Sequence, residues 1–109
     1  MITKGIKQLI AEAEKRSQGI SIEAARQRLG DAKTVFVDIR DVRELKREGM
    51  IPGAFHAPRG MLEFWVDPAS PYYKPVFTDD KTFVLYCQAD WRGVLAAATL
   101  GEMGMTNVL

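Results

Sequence analysis

Two short apolar segments constrain the fold of this chain more than any other feature of its sequence. They are TVFVDI at residues 34–39 and TFVLYC at residues 82–87, and both are rich in β-branched and aromatic residues. Neither segment alternates clearly between apolar and polar residues, which is typical of strands that are covered on both faces. We therefore predict two buried strands, and the helical patterns between them predict parallel pairing.

Two helices are predicted before the first strand. Apolar residues recur at spacings of three and four near the N-terminus, which indicates one face of a helix that ends at residues 17–19. Ser21 is the predicted N-cap of the second helix. The apolar stripe of this second helix consists of Ile22, Ala25 and Leu29.

The rest of the chain continues the alternation of helices and strands. Helices are predicted over residues 41–49 and 92–104, and residues 51–60 are predicted to be turn-rich because of their prolines and glycines. Residues 106–109 look like the beginning of a third strand. The predicted fold class is therefore α/β, a small, mostly parallel sheet flanked by helices. Because the sequence reaches its last residue in a strand, we expect a domain that is truncated at this end and lacks a C-terminal helix.

Composition limits the function classes. The chain has 109 residues, which suits one domain, and 15 Lys and Arg against 14 Asp and Glu give a net charge of +1. This balance does not favour nucleic acid as a partner, and no apolar run is long enough to cross a membrane. One cysteine and one histidine cannot form a zinc site of the usual kind. A single cysteine without an export signal favours the cytoplasm.

The single cysteine lies where an anion-binding loop is expected. Cys87 ends the second predicted strand, and Arg92 follows after four residues, at the start of a predicted helix. Loops of this kind point backbone N–H groups at an anion, and a neighbouring cation favours a thiolate. A free cysteine is, however, often an inert, buried, small apolar residue. From position alone, both interpretations of Cys87 remain open.

Several segments of the chain are similar, in the order in which they occur, to the motifs of one known family. VFVDIRD is similar to a strand followed by Asp-x-Arg, which places Asp38 and Arg40 on that motif, and REGMIPGAFHAP is similar to a Gly-His-Ile-Pro-Gly-Ala stretch with Met50 at the histidine position. FVLYCQADWRG is similar to an active-site strand and loop, and AATLGEMGMTNV is similar to the helix and strand that follow it. ISIEAARQRL is similar to an opening segment and first helix. In this order, from Ser21 to Leu109, the chain resembles the rhodanese family of sulfurtransferase domains.

The resemblance implies a domain division and a mechanism. Residues 1–19 would be an N-terminal helical extension, and residues 20–109 the rhodanese-like domain. Cys87 would attack the outer sulfur of a donor anion such as thiosulfate, become a persulfide, and pass the sulfur to a thiol, to cyanide or to a protein acceptor. The persulfide would be held by a loop of Gln88, Ala89, Asp90, Trp91 and Arg92, in the manner of an oxyanion hole. The reaction needs no metal and no organic cofactor.

Four positions have expected roles in or near this loop. Asp38 and Arg40 are expected to form an internal ion pair that supports the loop. Arg59 follows a proline in a turn, where it either faces the donor anion or is simply solvated. Asp90 stands where many family members have glycine, and its carboxylate should oppose a thiolate and repel thiosulfate. We hypothesise that Asp90 weakens the use of thiosulfate or selects another donor.

Two other functions compete with sulfur transfer. A cysteine phosphatase or an arsenate reductase uses a related loop, but cysteine phosphatases have five residues between cysteine and arginine, whereas Cys87 and Arg92 have four. A shorter loop suits a sulfur atom better than a tetrahedral phosphate. The third alternative is a non-catalytic binding or regulatory module, and the presence of Cys87 argues against it because inactive family members often lack the cysteine.

Overall fold

The computed structural model of the protein describes residues 1–78, 80–87 and 91–109. Along these residues, helices and strands alternate as the sequence predicts. The helices are α1 (Ile6–Arg16), α2 (Ile22–Gln27), α3 (Val42–Glu48), α4 (Leu62–Val66) and α5 (Trp91–Glu102), with a short 3₁₀ turn (Arg59–Met61) before α4. The strands are β1 (Thr34–Asp38), β2 (Phe55–His56) and β3 (Thr82–Tyr86).

The strands form a parallel sheet in the order β2–β1–β3. Val37 of β1 is opposite Phe55 of β2 on one side and Leu85 of β3 on the other. The predicted α/β class, the two apolar strands and their parallel pairing are confirmed. Residues 51–60, which are predicted to be turn-rich, also contain β2, which the sequence does not predict. A two-residue strand between prolines and glycines is too short to produce a periodic pattern.

The C-terminal residues extend the sheet beyond β3. Val108 forms a single parallel bridge with Phe83. The Phe83 N–H donates to the Asn107 carbonyl at 2.8 Å, and the Leu109 N–H donates to the Phe83 carbonyl at 2.8 Å. The strand predicted at 106–109 is therefore present as one bridge that pairs with the free side of β3.

One face of the sheet carries the main core. Every second residue of β1 and β3 points to this face, where α4 and α5 cover it. Its most completely buried members are Val37, Ile39, Leu62, Phe83 and Leu100. Helix α5 packs closely because alanines, with Ala96 fully buried, face the sheet.

The opposite face of the sheet borders an apolar groove of about 610 Å³. Phe36 and Val84 form its floor, and α2 forms one wall. The apolar stripe predicted on α2 is largely exposed, with Ile22 at 74% and Leu29 at 50% exposure. Periodicity identifies an apolar side of a helix, but it does not determine how closely another element covers that side.

The N-terminal helix belongs to the same packed body. Helix α1 packs on α5, and Ile10 and Ala13 are its buried residues. Arg16 lies 3.8 Å from the Glu102 carboxylate at the end of α5. None of the helices in the described part of the chain is long and apolar enough to cross a membrane.

A capping box fixes the beginning of α3 directly after β1. The Asp41 side chain accepts from the Arg43 N–H at 2.8 Å, and the Glu44 side chain accepts from the Asp41 N–H at 3.1 Å. Reciprocal bonds of this type satisfy N–H groups that a helix leaves free at its first turn. Gly49 ends the helix with a φ of 75°, a conformation that glycine adopts without strain. The first turn of α3 is therefore held at the carboxyl end of the sheet.

Candidate active site

Cys87 lies immediately after β3, at the carboxyl end of the sheet. Its side chain is half-buried and packs against the main core. The Ile39 N–H donates to the Tyr86 carbonyl at 3.2 Å, so the chain after β1 runs beside the residue that precedes the cysteine. In parallel α/β sheets this edge is where ligands bind. Cys87 therefore lies at the edge of the sheet where ligands bind in folds of this type.

Three residues separate Cys87 from the first residue of α5. Gln88, Ala89 and Asp90, which the sequence assigns to the loop after the cysteine, lie outside the described residues. Trp91 begins α5 and is 62% exposed. Arg92 follows in the first turn of this 12-residue helix, where the N-terminal end of the helix dipole favours an anion. The helix start that the sequence placed at residue 92 is at 91.

Arg92 forms a two-point ion pair with Glu44 of α3. Its Nη1 donates to Glu44 Oε1 at 2.8 Å, and its Nη2 donates to Glu44 Oε2 at 3.0 Å. The hydrogen bonds that Arg92 donates to the Glu44 carboxylate raise the pKa of Arg92, and the nearby Cys87 sulfur adds to this effect. The guanidinium is therefore held by the acid of α3 at the start of the helix that follows the cysteine.

Glu44 is held ionised by the same contacts. The hydrogen bonds from Arg92, followed by the bond from the Asp41 N–H, lower the pKa of Glu44 from 4.5 to about 2. Its carboxylate thus caps α3 and fixes Arg92 at the same time. Glu44 was not among the site residues expected from the sequence. The signal for its capping role was present, because Asp41 and Glu44 have the spacing of a capping box.

Asp38 and Arg40 form a buried ion pair at the end of β1. Arg40 Nε donates to Asp38 Oδ1 at 2.9 Å, and Arg40 Nη2 donates to Asp38 Oδ2 at 2.7 Å. Asp38 is fully buried, and Arg40 is 7% exposed. Burial favours a higher pKa for Asp38, but the hydrogen bonds from Arg40 outweigh it and hold the pKa below 3.8. The two side chains stabilise each other inside the protein.

The remaining donors of Arg40 also point inward. Nη1 donates to Glu48 at 3.2 Å, and Nη2 donates to the Gly49 carbonyl at 2.7 Å. The guanidinium carbon lies 6.0 Å from the centre of the Tyr86 ring, where a cation–π contact adds to the network. Burial raises the pKa of Tyr86 to about 12, and the neighbouring Asp38 carboxylate also favours its protonated form. Glu48 and Tyr86 were not among the site residues expected from the sequence.

Arg59 lies at the same edge and is also paired. Its backbone N–H donates to the Ile39 carbonyl at 3.1 Å, which places the 3₁₀ turn beside the end of β1. Its Nη1 donates to Glu63 Oε1 at 2.6 Å. The side chain is about one-third exposed. Arg59 therefore keeps contact with solvent, and Glu63 already occupies one of its donors.

His56, the only histidine in the sequence, forms a hydrogen bond with a backbone carbonyl. His56 Nε2 donates to the Arg40 carbonyl at 2.8 Å. A carbonyl only accepts, so this bond fixes the proton on Nε2.

Among residues 1–78, 80–87 and 91–109, no three potential ligands are arranged to hold a metal ion.

Fold and site together define a class of small α/β domains that carry a cysteine at the carboxyl edge of a parallel sheet and an arginine in the following helix. Residues 21–109 match the Rhodanese-like domain family. The match covers most of the chain, and the protein belongs to this family.

Two solved structures are similar to this chain. One is a protein of unknown function from Rhodopseudomonas palustris CGA009, described as a possible tyrosine phosphatase. It is 47% identical, with a TM-score of 0.92, and the match covers 99% of this chain and 83% of that one. The other is a variant of EanB in complex with hercynine. It is 21% identical, with a TM-score of 0.65, over 84% of this chain and 23% of that one, and this likeness concerns the fold alone. No curated protein matches the chain.

Proposed function

We propose that the protein is a sulfurtransferase that carries sulfur as a persulfide on Cys87. The observation that carries the proposal is the position of Cys87 at the carboxyl edge of the sheet, with the Arg92 guanidinium beside it. A cation and the N-terminal end of a helix both favour a negatively charged sulfur. Membership of the Rhodanese-like domain family supports the same chemistry.

The proposed reaction has two steps, and each transfers one sulfur atom. The Cys87 thiolate attacks the outer sulfur of thiosulfate, a new S–S bond forms on Cys87, and the bond to the sulfonate sulfur breaks with release of sulfite. An acceptor, either cyanide or a thiolate, then attacks the outer sulfur of the persulfide and regenerates the Cys87 thiolate. Charge and atoms balance in both steps, so the cycle needs no metal and no redox cofactor.

The partners of this reaction follow from its chemistry. The donor is a small anion that carries a sulfane sulfur, and the acceptor is cyanide, a small thiol or a cysteine of another protein. Trp91 is exposed beside the loop and is suited to contact such a protein acceptor. A thiol-based cycle fits a reducing compartment, and we propose the cytoplasm.

A cysteine phosphatase is the second candidate. It is favoured by the 47% identity to the Rhodopseudomonas palustris protein that is described as a possible tyrosine phosphatase. Against it stands the spacing of Cys87 and Arg92, which leaves four residues instead of five for a loop around a tetrahedral phosphate. We therefore prefer sulfur transfer.

Two turnover assays on the same preparation separate these candidates. Thiocyanate formed from thiosulfate and cyanide reports sulfur transfer, and release of nitrophenol from an aryl phosphate reports phosphatase activity. The proposal expects thiocyanate formation that disappears in Cys87→Ser, with thermal unfolding of the variant unchanged. Nitrophenol release without thiocyanate would establish the phosphatase instead. A Cys87→Ser protein that keeps its whole biological role would support the non-catalytic alternative.

A further inference from the structure

Three arginines at the reactive edge, Arg40, Arg59 and Arg92, are paired with carboxylates. Arg40 is bound by Asp38 and Glu48, Arg59 by Glu63, and Arg92 by Glu44. These pairs bring three positive and four negative charges to the carboxyl end of the sheet. A site built to attract a dianion would present cations that are not already paired.

Arg92 is the cation whose neutralisation matters most, because it lies in the first turn of α5, the helix that follows Cys87 at the carboxyl end of the sheet. Both of its terminal nitrogens donate to Glu44, at 2.8 and 3.0 Å. Side-chain exposure of 42% for Arg92 and 16% for Glu44 leaves the pair only partly screened by water. A donor that approaches the sulfur therefore meets a neutral pair instead of a full positive charge.

Glu44 is also locked in this arrangement by α3. Its Oε1 accepts from the Asp41 N–H at 3.1 Å while it accepts from Arg92. A carboxylate that caps a helix cannot move away from Arg92 without breaking the cap. The cap of α3 therefore holds Glu44 in the position where it neutralises Arg92.

We infer that Glu44 is a positioning residue that sets the charge selectivity of the site, so that Cys87 takes sulfur from donors with at most one negative charge in preference to thiosulfate. This inference rests on the proposed sulfurtransferase function. The donor class comprises thiosulfonates, R–SO₂–S⁻, and organic persulfides, R–S–SH. From a thiosulfonate, the Cys87 thiolate takes the outer sulfur and a sulfinate leaves. From a persulfide, it takes the outer SH and a thiolate leaves.

Thiosulfate and methanethiosulfonate form a matched pair of probes. They present the same outer sulfur on a similar tetrahedral group, but a methyl group replaces one charged oxygen in the second compound. The rate of each donor with a free small thiol corrects for its intrinsic reactivity. The measured quantity is the corrected ratio of kcat/KM for thiosulfate to kcat/KM for methanethiosulfonate.

Glu44→Gln keeps an oxygen that can accept from the Asp41 N–H, but it removes the charge that neutralises Arg92. We expect the corrected ratio to rise about tenfold, because the additional charge of thiosulfate then meets an unmasked cation. The change should appear mainly as a lower KM for thiosulfate. Glu44→Asp keeps the charge and should keep the ratio of the wild type. Glu12→Gln removes an exposed charge on α1 and is the matched control for net charge.

The outcomes separate this inference from the proposed function. A rise of the ratio in Glu44→Gln alone supports the inference. Equal losses with both donors in Glu44→Gln would assign Glu44 a purely structural role and overturn it. If both donors turn over on Cys87 with the same ratio in all variants, the inference fails and sulfur transfer stands. If neither donor gives turnover that depends on Cys87, the proposed function fails, and the inference with it.

Discussion

Two arginines of this protein are bound by carboxylates in the same two-point manner, but their surroundings differ. Arg40 is 7% exposed and is enclosed by Asp38, Glu48 and the Gly49 carbonyl. The Arg92 side chain is 42% exposed and lies beside Cys87. We expect the same pairing to contribute mainly to stability where it is buried and, in the proposed sulfurtransferase, to the reaction where solvent reaches it. Predictions on the two arginines and their neighbours test this difference.

Loss of the buried arginine should have the largest effect on stability. Arg40→Met leaves the Asp38 carboxylate buried without its partner, and we expect the free energy of unfolding to fall by about 3 kcal/mol. Turnover per folded molecule should change little. Urea denaturation measures the first quantity, and thiocyanate formation measures the second. Arg47→Met on the exposed side of α3 is the control. A stability equal to that of the control would show that the Arg40 network is not a structural anchor.

Loss of the exposed arginine should reverse this pattern. Arg92→Met leaves the Glu44 carboxylate without its partner, so the thiolate and the incoming donor meet an uncompensated negative charge, and we expect kcat/KM for thiosulfate to fall by about 100-fold. Stability should change little, because partly exposed ion pairs contribute little to it. Arg43→Met is a matched control, since Arg43 is also paired, with Asp41, but is 83% exposed. If Arg92→Met lowers stability as much as Arg40→Met and leaves kcat/KM intact, the contrast between the two arginines is wrong.

A smaller effect is expected at Asp90, which the sequence places in the reactive loop. Asp90→Asn removes a carboxylate that should repel a donor anion, and we expect kcat/KM for thiosulfate to rise by about threefold. Asp90→Gly should give a similar rise, since the charge is the cause. Unchanged rate constants in both variants would contradict the hypothesis that Asp90 acts against thiosulfate.

The smallest effect is expected in the pH dependence of the unfolding free energy. The pKa of Glu44 is lowered to about 2 in the folded protein, against its ordinary value of 4.5. A depressed carboxyl pKa stabilises the fold above the unfolded pKa, and this contribution is lost as the pH falls through the folded value. The difference in unfolding free energy between wild type and Glu44→Gln should therefore be constant above about pH 5 and shrink between pH 4.5 and about 2. A difference that does not vary with pH would show that Glu44 acts through packing alone.

Much of the fold could be predicted from the sequence because its signals are local. The β-branched runs predict β1 and β3, and the N-cap at Ser21 marks the start of α2, where its side chain accepts from the Ala24 N–H at 3.1 Å. Strand β2 could not be predicted, because two residues contain no period. Its place in the sheet depends on pairing with β1, which is a tertiary contact.

In the candidate site, too, only some of the residues could be predicted from the sequence. Cys87 and Arg92 are neighbours in sequence, so the pattern of strand, loop and helix predicts their proximity. The partner of Arg92 lies 48 positions away, and a single sequence does not indicate which acid a given arginine will meet. Only the packing of α3 beside the start of α5 brings Glu44 to Arg92.

Mass spectrometry of the peptide that contains Cys87 detects whether this residue carries sulfur. The protein is incubated with thiosulfate or methanethiosulfonate, freed of donor, digested and analysed before and after addition of an acceptor thiol. The account predicts that the Cys87 peptide gains one sulfur atom with the donor and loses it to the acceptor. A Cys87 peptide that gains no sulfur from either donor would contradict the account.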